Sequence, residues 1–241
     1  ENSLFKEINK QQIPNLIERS QFNKRRRKLF FFLEEVRTKL ASRFLEFEDY
    51  FIVDSMPLEI CKFARHRRIK ICKKEFETAP SKGFCVSQNN WFYGYKLHGV
   101  CSINGIFHSL DITKAEVHDV HFLKNIKQQM SDCVLLGDRG YLSQSIQLDL
   151  FQTVNIKLET PKRANQKEYK PQPYIFRKSR KRIETLFSQL CDQFRIRNNY
   201  AKTFEGFKTR ILAKITALTL VQYINKFIFD RPINNIKNQT I

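Results

Sequence analysis

The chain has 241 residues, of which 41% are apolar, so it is long enough to bury a core and its composition excludes a disordered tail. Lys and Arg number 43 against 24 Asp and Glu, a formal net charge of +19. Such a charge favours a large anionic partner, nucleic acid before a membrane surface, with plain solvation as the remaining alternative. The longest apolar stretch, 215–223, is shorter than the roughly 20 residues of a membrane span, so no membrane crossing is expected.

Targeting and redox signals point to the cytoplasm. The chain begins at Glu1 without a charged start and an apolar segment behind it, so no secretory signal is expected, and residues that precede Glu1 are expected to be missing. The six cysteines include no CxxC pair and are typical of reduced thiols in a core. Cys61, His66, Cys72 and Cys85 are spaced too loosely to favour a zinc site.

The first recognisable element is a long amphipathic helix with a basic start. Five consecutive cations occupy 24–28, and apolar residues follow at helical spacing. Cations at a helix start oppose the helix dipole, which favours a bound anion over a merely solvated helix end. The predicted DNA contacts here are Lys24, Arg25, Arg26 and Arg27, and the predicted apolar stripe is Leu29, Phe32, Leu33, Val36, Leu40 and Phe44.

Strand-like segments follow in the middle of the chain. A first strand is predicted over 50–53, ending before Asp54, and no structure is assigned to 61–88. Two antiparallel strands, 91–102 and 105–112, are predicted because Asn104-Gly105 is the dipeptide preferred at a tight hairpin turn. Further strands are predicted over 133–137 and 154–158. His118, Asp119 and His121 open a short helix, in which capping by Asp119 is favoured over a ligand cluster.

Three acids stand out from this pattern. The apolar run 134–137 ends at Asp138, and Gly140 permits a sharp exit from the strand, while Asp54 closes the first strand in the same way. Glu184 lies in a helix that begins near Tyr174, with its core stripe at Ile183, Leu186, Phe187, Leu190 and Phe194. Two strand-end aspartates and one helix glutamate suit a carboxylate metal site for phosphoryl transfer. Considered alone, Glu184 is better explained by the alternative of a surface ion pair, which contributes little to stability.

A second basic segment and a last helix complete the chain. Nine cations against Glu168 alone give 162–182 a local net charge of +8. The helix predicted from about Thr203 is apolar nearly all round over 211–221, which indicates packing on the sheet, with dimerisation as an alternative. The DNA contacts predicted in the basic segment are Lys162, Arg163, Arg177, Arg180 and Lys181.

The order of strand, hairpin, helix, strand, helix, strand and acid-bearing helix is that of an α/β, RNase H-like mixed β-sheet flanked by helices. Five segments resemble the conserved blocks of bacterial insertion-sequence DDE transposases, nearest to the insertion-sequence 982 family, and the similarity extends from about Pro14 to about Phe229. These segments are 53–58 (VDSMPL), 94–98 (GYKLH), 137–141 (GDRGY), 160–165 (TPKRAN) and 182–190 (RIETLFSQL).

The resemblance implies a catalytic and metal-binding triad of Asp54, Asp138 and Glu184. It implies Mg²⁺ or Mn²⁺ as cofactor, with two ions expected, since hard cations prefer oxygen ligands. Related transposases carry a Tyr, Arg, Glu, Lys signature around the third acid. Arg180 matches it, whereas Arg177 and Cys191 replace the Tyr and the Lys.

The resemblance also implies a DNA transposase, which cleaves the ends of its element and joins the freed 3′-OH to target DNA. The expected partners are double-stranded DNA, as terminal inverted repeats and target, and a second copy of the chain; the expected location is the bacterial cytoplasm. The expected organisation is a basic helical segment over 1–48, a retroviral-integrase-like catalytic domain over 49–230 and a tail over 231–241. A nuclease or resolvase of the same fold, and a non-catalytic DNA-binding protein derived from a transposase, are the alternatives.

Overall fold

A computed structural model describes residues 17–162 and 171–237. The six strands are β1 (Tyr50–Cys61), β2 (Ser81–Cys85), β3 (Asn90–Ser102), β4 (Phe107–Lys114), β5 (Cys133–Leu136) and β6 (Ile156–Glu159). The α-helices of the described ranges are α1 (Arg19–Lys28), α2 (Phe30–Leu45), α3 (Leu123–Ile126), α4 (Gln144–Val154), α5 (Tyr174–Asp192) and α6 (Phe204–Tyr223).

The strands form one mixed sheet in the order β2-β3-β1-β5-β6, and β4 also pairs with β3. β3 is antiparallel to β1, β2 and β4, while β5 is parallel to β1 and β6 is parallel to β5. β2 pairs with the first residues of β3 and β4 with the later ones, so the two lie end to end along one edge of β3. The predicted hairpin and the mixed α/β class are confirmed.

Helices cover both faces of the sheet. Side chains alternate along β1, so Ile52 and Met56 face the core that α5 and α6 complete, whereas Phe51 and Val53 face the core that contains α3 and α4. The predicted stripe of α5 is buried at Ile183, Leu186, Phe187 and Leu190, and Phe194 lies beyond the end of the helix. The sheet is therefore fixed from both sides, with α5 above the middle of β1.

The basic amphipathic helix is interrupted. Leu29 has φ −89° and ψ 15°, so α1 ends at Lys28 and α2 begins at Phe30. The predicted stripe is wrong at Leu29 and Phe32, which are 53% and 61% exposed. The buried residues of α2 are Arg37 and Ala41, because this side of the helix packs on α6 and β4. The guanidinium of Arg37 donates to the carbonyl oxygens of Phe107 and His108, at 2.9 and 3.0 Å.

Two strand predictions need correction. β1 does not end before Asp54 but continues to Cys61, because β3 pairs with it along the whole of this length. Pro57 is tolerated inside β1 because β5 ends at Leu136, so no strand of the described ranges pairs with the other edge of β1 at that point. β2 lies within 61–88, the segment to which no structure was assigned; its five residues are held by pairing with β3, a contact that local periodicity does not reveal.

Two helix starts can be compared with those predicted from the sequence. Thr203 caps α6, whose predicted start is confirmed, since its side chain accepts a hydrogen bond from the Gly206 amide. At the short 3-10 helix Asp119–Phe122, however, the cap is His118 and not Asp119. Six cysteines are free thiols, as expected.

One helix in the described part of the chain, Phe204–Ile228, is long and apolar enough to cross a membrane. It comprises α6 and the π-helical turn Ile224–Ile228. The expectation that no segment reaches such a length is therefore wrong. Within the structure this helix is part of the core, where Phe207, Ile211, Ile215 and Leu218 are buried.

Candidate active site

The two aspartates are brought together by strand register. In the parallel pair, Tyr50, Phe51 and Ile52 face Val134, Leu135 and Leu136. Two further residues at the same offset place Asp54 level with Asp138, just beyond the C-terminal end of β5. Asp54 lies between Ile52 and Met56 in the alternation of β1, so it belongs to the face of the sheet that α5 covers. Asp138 opens towards the same helix, since it lines one cleft with Arg177 and Arg180.

The Asp54 carboxyl is in an environment that opposes its ionisation. Burial raises its pKa from 3.8 to about 7, and the negative charges of Asp138 and Asp119 act in the same direction. The Ser55 amide, which donates to Asp54 Oδ1 at 2.8 Å, and the positive charge of Arg180 act in the opposite direction. Two acids close enough to repel each other beside an arginine are typical of a site that receives a cation and a phosphate.

Asp138 is held by the turn that follows β5. Its Oδ1 accepts a hydrogen bond of 2.7 Å from the Gly140 amide, which fixes the carboxylate at the start of the 3-10 helix Arg139–Tyr141. A Cβ on Gly140 would stand 2.9 Å from that same oxygen. Glycine is therefore required here for the close approach between the backbone and the carboxylate.

A basic cleft of about 440 Å³ opens beside Asp138. Arg139 and Lys162 contribute from the loops after β5 and β6, and Arg177 and Arg180 from α5. The complete lining is Asp138, Arg139, Pro161, Lys162, Pro171, Gln172, Arg177 and Arg180. Four cations and one carboxylate make this cleft suited to a phosphodiester next to an acid pair.

Glu184 stands apart from the two aspartates. It is exposed on α5, one turn beyond Arg180, and within the described residues it forms no hydrogen bond or ion pair. No group of three His, Cys, Asp or Glu side chains that could hold a metal ion occurs over 17–162 and 171–237. The structure thus brings together two acids of the predicted triad and leaves the third free of other partners.

The acid pair itself fits a divalent cation. Both residues offer carboxylate oxygens, the donors that Mg²⁺ and Mn²⁺ prefer. The raised pKa of Asp54 reflects burial and like-charge repulsion, and a bound cation would relieve both. The chemistry of the donor set therefore supports a metal between Asp54 and Asp138.

The remaining predicted DNA contacts are distributed over other surfaces. Lys24 and Arg25 are exposed on α1, and Lys181 is exposed on α5. Arg26 and Arg27 line a second groove, of about 550 Å³, between α1, the loop before β2 and the start of α6. Its other cations are Lys74, Lys202 and Arg210. Arg163 lies outside the described residues.

Sequence reasoning missed a partly buried polar group on the face of the sheet opposite to α5. Lys96 forms an ion pair of 3.0 Å with Asp119, and His98 Nδ1 lies 4.0 Å from the same carboxylate. Burial lowers the pKa of His98 to about 4, so its ring is neutral at pH 7. The spacing of Lys96 and His98 by two residues in a strand was the available signal that both face Asp119. This group acts on the site through the charge of Asp119, which contributes to the raised pKa of Asp54.

Comparison with known proteins gives one family. A family described as "Transposase DDE domain" matches residues 46–220, well over half of the chain, and includes all three predicted acids. A search of curated proteins gives no significant match.

Among solved structures, the chain is similar to "Mos1 transposase paired-end complex with left transposon end", at 13% identity and a TM-score of 0.27. That similarity covers 86% of this chain and 62% of the other. "Crystal structure of the Mos1 mariner paired end complex with Mn" is similar at 12% identity and a TM-score of 0.26, over 86% and 63% of the two chains. The chain thus spans less than two thirds of the length of these structures.

Proposed function

Since the chain belongs to the family of transposase DDE domains, we propose that it is a DNA transposase, which hydrolyses phosphodiesters at the ends of an insertion sequence and joins the freed 3′-OH to target DNA. The observation that carries this proposal is the register of β1 and β5, which aligns Asp54 with Asp138 beside Arg180 and the basic cleft. Strand order supports an RNase H-like core. Along β4-β3-β1-β5-β6, three antiparallel strands precede two that run parallel to β1.

Asp54 and Asp138 would hold Mg²⁺ or Mn²⁺ in this proposal. A divalent ion held by these two carboxylates would supply positive charge to offset the negative charge that develops around the phosphorus. Arg177, Arg180 and Lys162 would position the phosphates of the strand to be cut, because their charges line the cleft. Glu184 is proposed as the third ligand, since it is exposed on the helix that carries Arg180 and has no ion pair among the residues that the structure describes. The second ion stays a prediction.

The finer assignments are part of the same proposal. Resemblance of the sequence blocks supports the insertion-sequence 982 family and a bacterial cytoplasmic location. The charge of +19 supports double-stranded DNA as partner, and the need to hold two ends supports a homodimer. We propose 1–48 as a DNA-binding segment, 49–230 as the catalytic domain and 231–241 as a tail.

The experiment combines cleavage and joining in one assay. The protein is incubated with labelled duplexes from both ends of its own element, Mn²⁺ or Mg²⁺, and a supercoiled plasmid. We expect nicking at the duplex end and labelled strand joined to plasmid, both abolished by Asp54→Asn and Asp138→Asn and reduced by Glu184→Gln. Asp149→Asn, in α4 and paired with Lys127 at 2.8 Å, is the matched control and should cut normally.

The products separate the alternatives. A nuclease or resolvase would release cut duplex without joining it, and a non-catalytic DNA-binding protein would retard the duplex without cutting it. Either outcome would overturn the proposal. Equal cleavage by wild type and Asp54→Asn would show that the acid pair is not the catalytic centre.

A further inference from the structure

We infer a second nucleic-acid site, an aromatic platform at the outer end of β3 that stacks with an unpaired base of DNA. The platform consists of Phe63, His66, Phe84, Trp91 and Tyr93. The cleavage chemistry and the predicted DNA contacts involve none of these residues. The inference rests on ring geometry, on the charge around the rings and on the position of the platform relative to Asp54.

The rings share one face of the β2–β3 hairpin. Phe84 is paired directly with Trp91, and Tyr93 follows two residues later on the same face. Ring centroids of Trp91 lie 5.3 Å from Phe84 and 6.4 Å from Phe63. His66 stacks on Phe63 at 5.0 Å and contacts Tyr93 at 5.6 Å. The cluster therefore holds its own members in place.

The outermost ring is open to solvent. Trp91 is 53% exposed and Phe84 is 40% exposed. A large aromatic side chain that is supported on one side and exposed on the other offers a flat surface to a base, and every base has a π-face that can stack on it. This property distinguishes the platform from the basic cleft, whose described lining residues include no aromatic side chain.

The positive charge beside the platform favours a polyanion as its ligand. Seven cations and no acid occur within 62–74, the loop that crosses beside the platform, and all seven are exposed. None of them forms an ion pair within the described ranges. An apolar protein surface would not neutralise this loop, whereas a nucleic-acid backbone would. The cations are Lys62, Arg65, Arg67, Arg68, Lys70, Lys73 and Lys74.

The platform lies on the same strands as the acid pair. Gly99 of β3 faces Asp54, and Trp91 is eight residues away from Gly99 along β3. At about 3.3 Å per residue this is roughly 25 Å, the length of about seven nucleotides of one DNA strand. One DNA molecule could therefore contact the acid pair and the platform together, with the stacked base in the strand displaced or distorted near the cut.

Trp91 is the only tryptophan of the chain, so its fluorescence reports this site alone. We expect a single-stranded oligothymidylate to quench Trp91 and to bind in metal-free buffer. An abasic oligonucleotide of equal length carries the same phosphates without bases. It should bind more weakly and quench little. A fully paired duplex should bind through phosphates with little quenching.

Variants separate stacking from charge. With a labelled oligothymidylate followed by anisotropy, Trp91→Leu should lose about tenfold in affinity, equivalent to about 1.4 kcal/mol, while Trp91→Phe should keep most of it. Arg67→Gln combined with Arg68→Gln should weaken binding of the normal and the abasic strand alike. Phe151→Leu is the matched control, because Phe151 is 56% exposed on α4 and lies outside the platform.

Three results would overturn the inference: equal quenching by the abasic strand, unchanged affinity of Trp91→Leu, or a Trp91 signal that follows protein concentration instead of DNA. The last would assign the platform to a second copy of the chain. Failure of the proposed transposase activity is distinguishable, because Asp54→Asn should abolish cleavage and leave the quenching intact.

Discussion

At Asp54, burial and the charge of Asp138 both favour the protonated carboxyl, which makes stability depend on pH. The pKa is about 7 in the folded protein and 3.8 as the ordinary value. Below about pH 4 the group is protonated in both states and costs nothing. As the pH rises to about 7, only the unfolded chain loses its proton readily, so the folded state is progressively destabilised, by up to about 4 kcal/mol at about 1.36 kcal/mol per pKa unit.

Replacement of Asp54 by Asn should therefore stabilise metal-free protein above about pH 7 and have little effect near pH 4. Urea unfolding in EDTA measures the free energy of unfolding of wild type and variant across this pH range. Their difference isolates Asp54, because the other titrating groups contribute equally to both proteins. Asp132→Asn is a control of opposite sign: hydrogen bonding to Asn155 lowers the pKa of exposed Asp132, so its loss should slightly destabilise the protein at neutral pH. If the difference in unfolding free energy between wild type and Asp54→Asn did not change with pH, the raised pKa of Asp54 would be contradicted.

Gly140 provides a second test at the scale of a single residue. A methyl group there would stand 2.9 Å from Asp138 Oδ1, so Gly140→Ala should displace the carboxylate and lengthen its 2.7 Å hydrogen bond. We expect cleavage to fall at least about tenfold, because misplacement of a reacting group by about 1 Å costs more than that, while the unfolding free energy changes by less than about 1.5 kcal/mol. Normal cleavage by Gly140→Ala would show that the position of Asp138 is not critical.

Among the elements, α2 is fixed to the sheet by one buried cation. Arg37 donates to two backbone carbonyls of β4 and pairs with Glu34 at 2.5 Å. Arg37→Met should cost about 3 kcal/mol, because the two carbonyls lose their donors in a buried setting. Lys39→Met in the same helix is the matched control: its pair with Glu35 is largely exposed and should contribute less than about 1 kcal/mol. Equal effects in urea unfolding would rule out this role for Arg37.

Elements with strong local signals could be predicted from sequence. The stripe of α5 required only helical spacing, and the β3–β4 hairpin only the preference of Asn104-Gly105 for a tight turn. β2 could not be predicted, because its pairing partner is β3 and its own five residues are weakly periodic. The exposed side of α2 was misjudged at Phe32, since burial there depends on the approach of α6 and β4, which spacing does not contain.

The acid pair was predictable in its residues but not in its geometry. The sequence predicts Asp138 just after the end of one strand, which agrees with β5 ending at Leu136. It also predicts Asp54 just after the end of the first strand, whereas Asp54 lies inside the longer β1. Their alignment follows from the register between β1 and β5, a long-range property. The influence of Asp119 on Asp54 also required the fold, because three strands, β2, β3 and β4, separate the two residues in sequence.

Across the whole molecule, the charge of +19 makes ionic strength the main determinant of DNA binding. If about six phosphates are neutralised, the logarithm of the binding constant should fall with the logarithm of salt concentration at a slope near −5. Anisotropy titrations with a labelled duplex from about 50 to 200 mM salt measure the slope. Asp138→Asn should show the same slope without metal, because the basic surfaces are unchanged. A salt-independent affinity would exclude this mode of binding.

The position of Asp54 within β1 also has a consequence for local opening. Phe51 and Ile52 are hydrogen-bonded into a ladder with β3 on one side and β5 on the other, and Asp54, two residues after Ile52, is still paired with β3. Amide protons of this segment should exchange with deuterium only when the entire sheet unfolds, whereas those in the first turn of α5, which has no fully buried residue before Ile183, should exchange through local fraying. The Asp54 carboxylate would then remain fixed through every partial opening of the protein, while the exposed side chain of Glu184 could change its rotamer to meet an incoming DNA end.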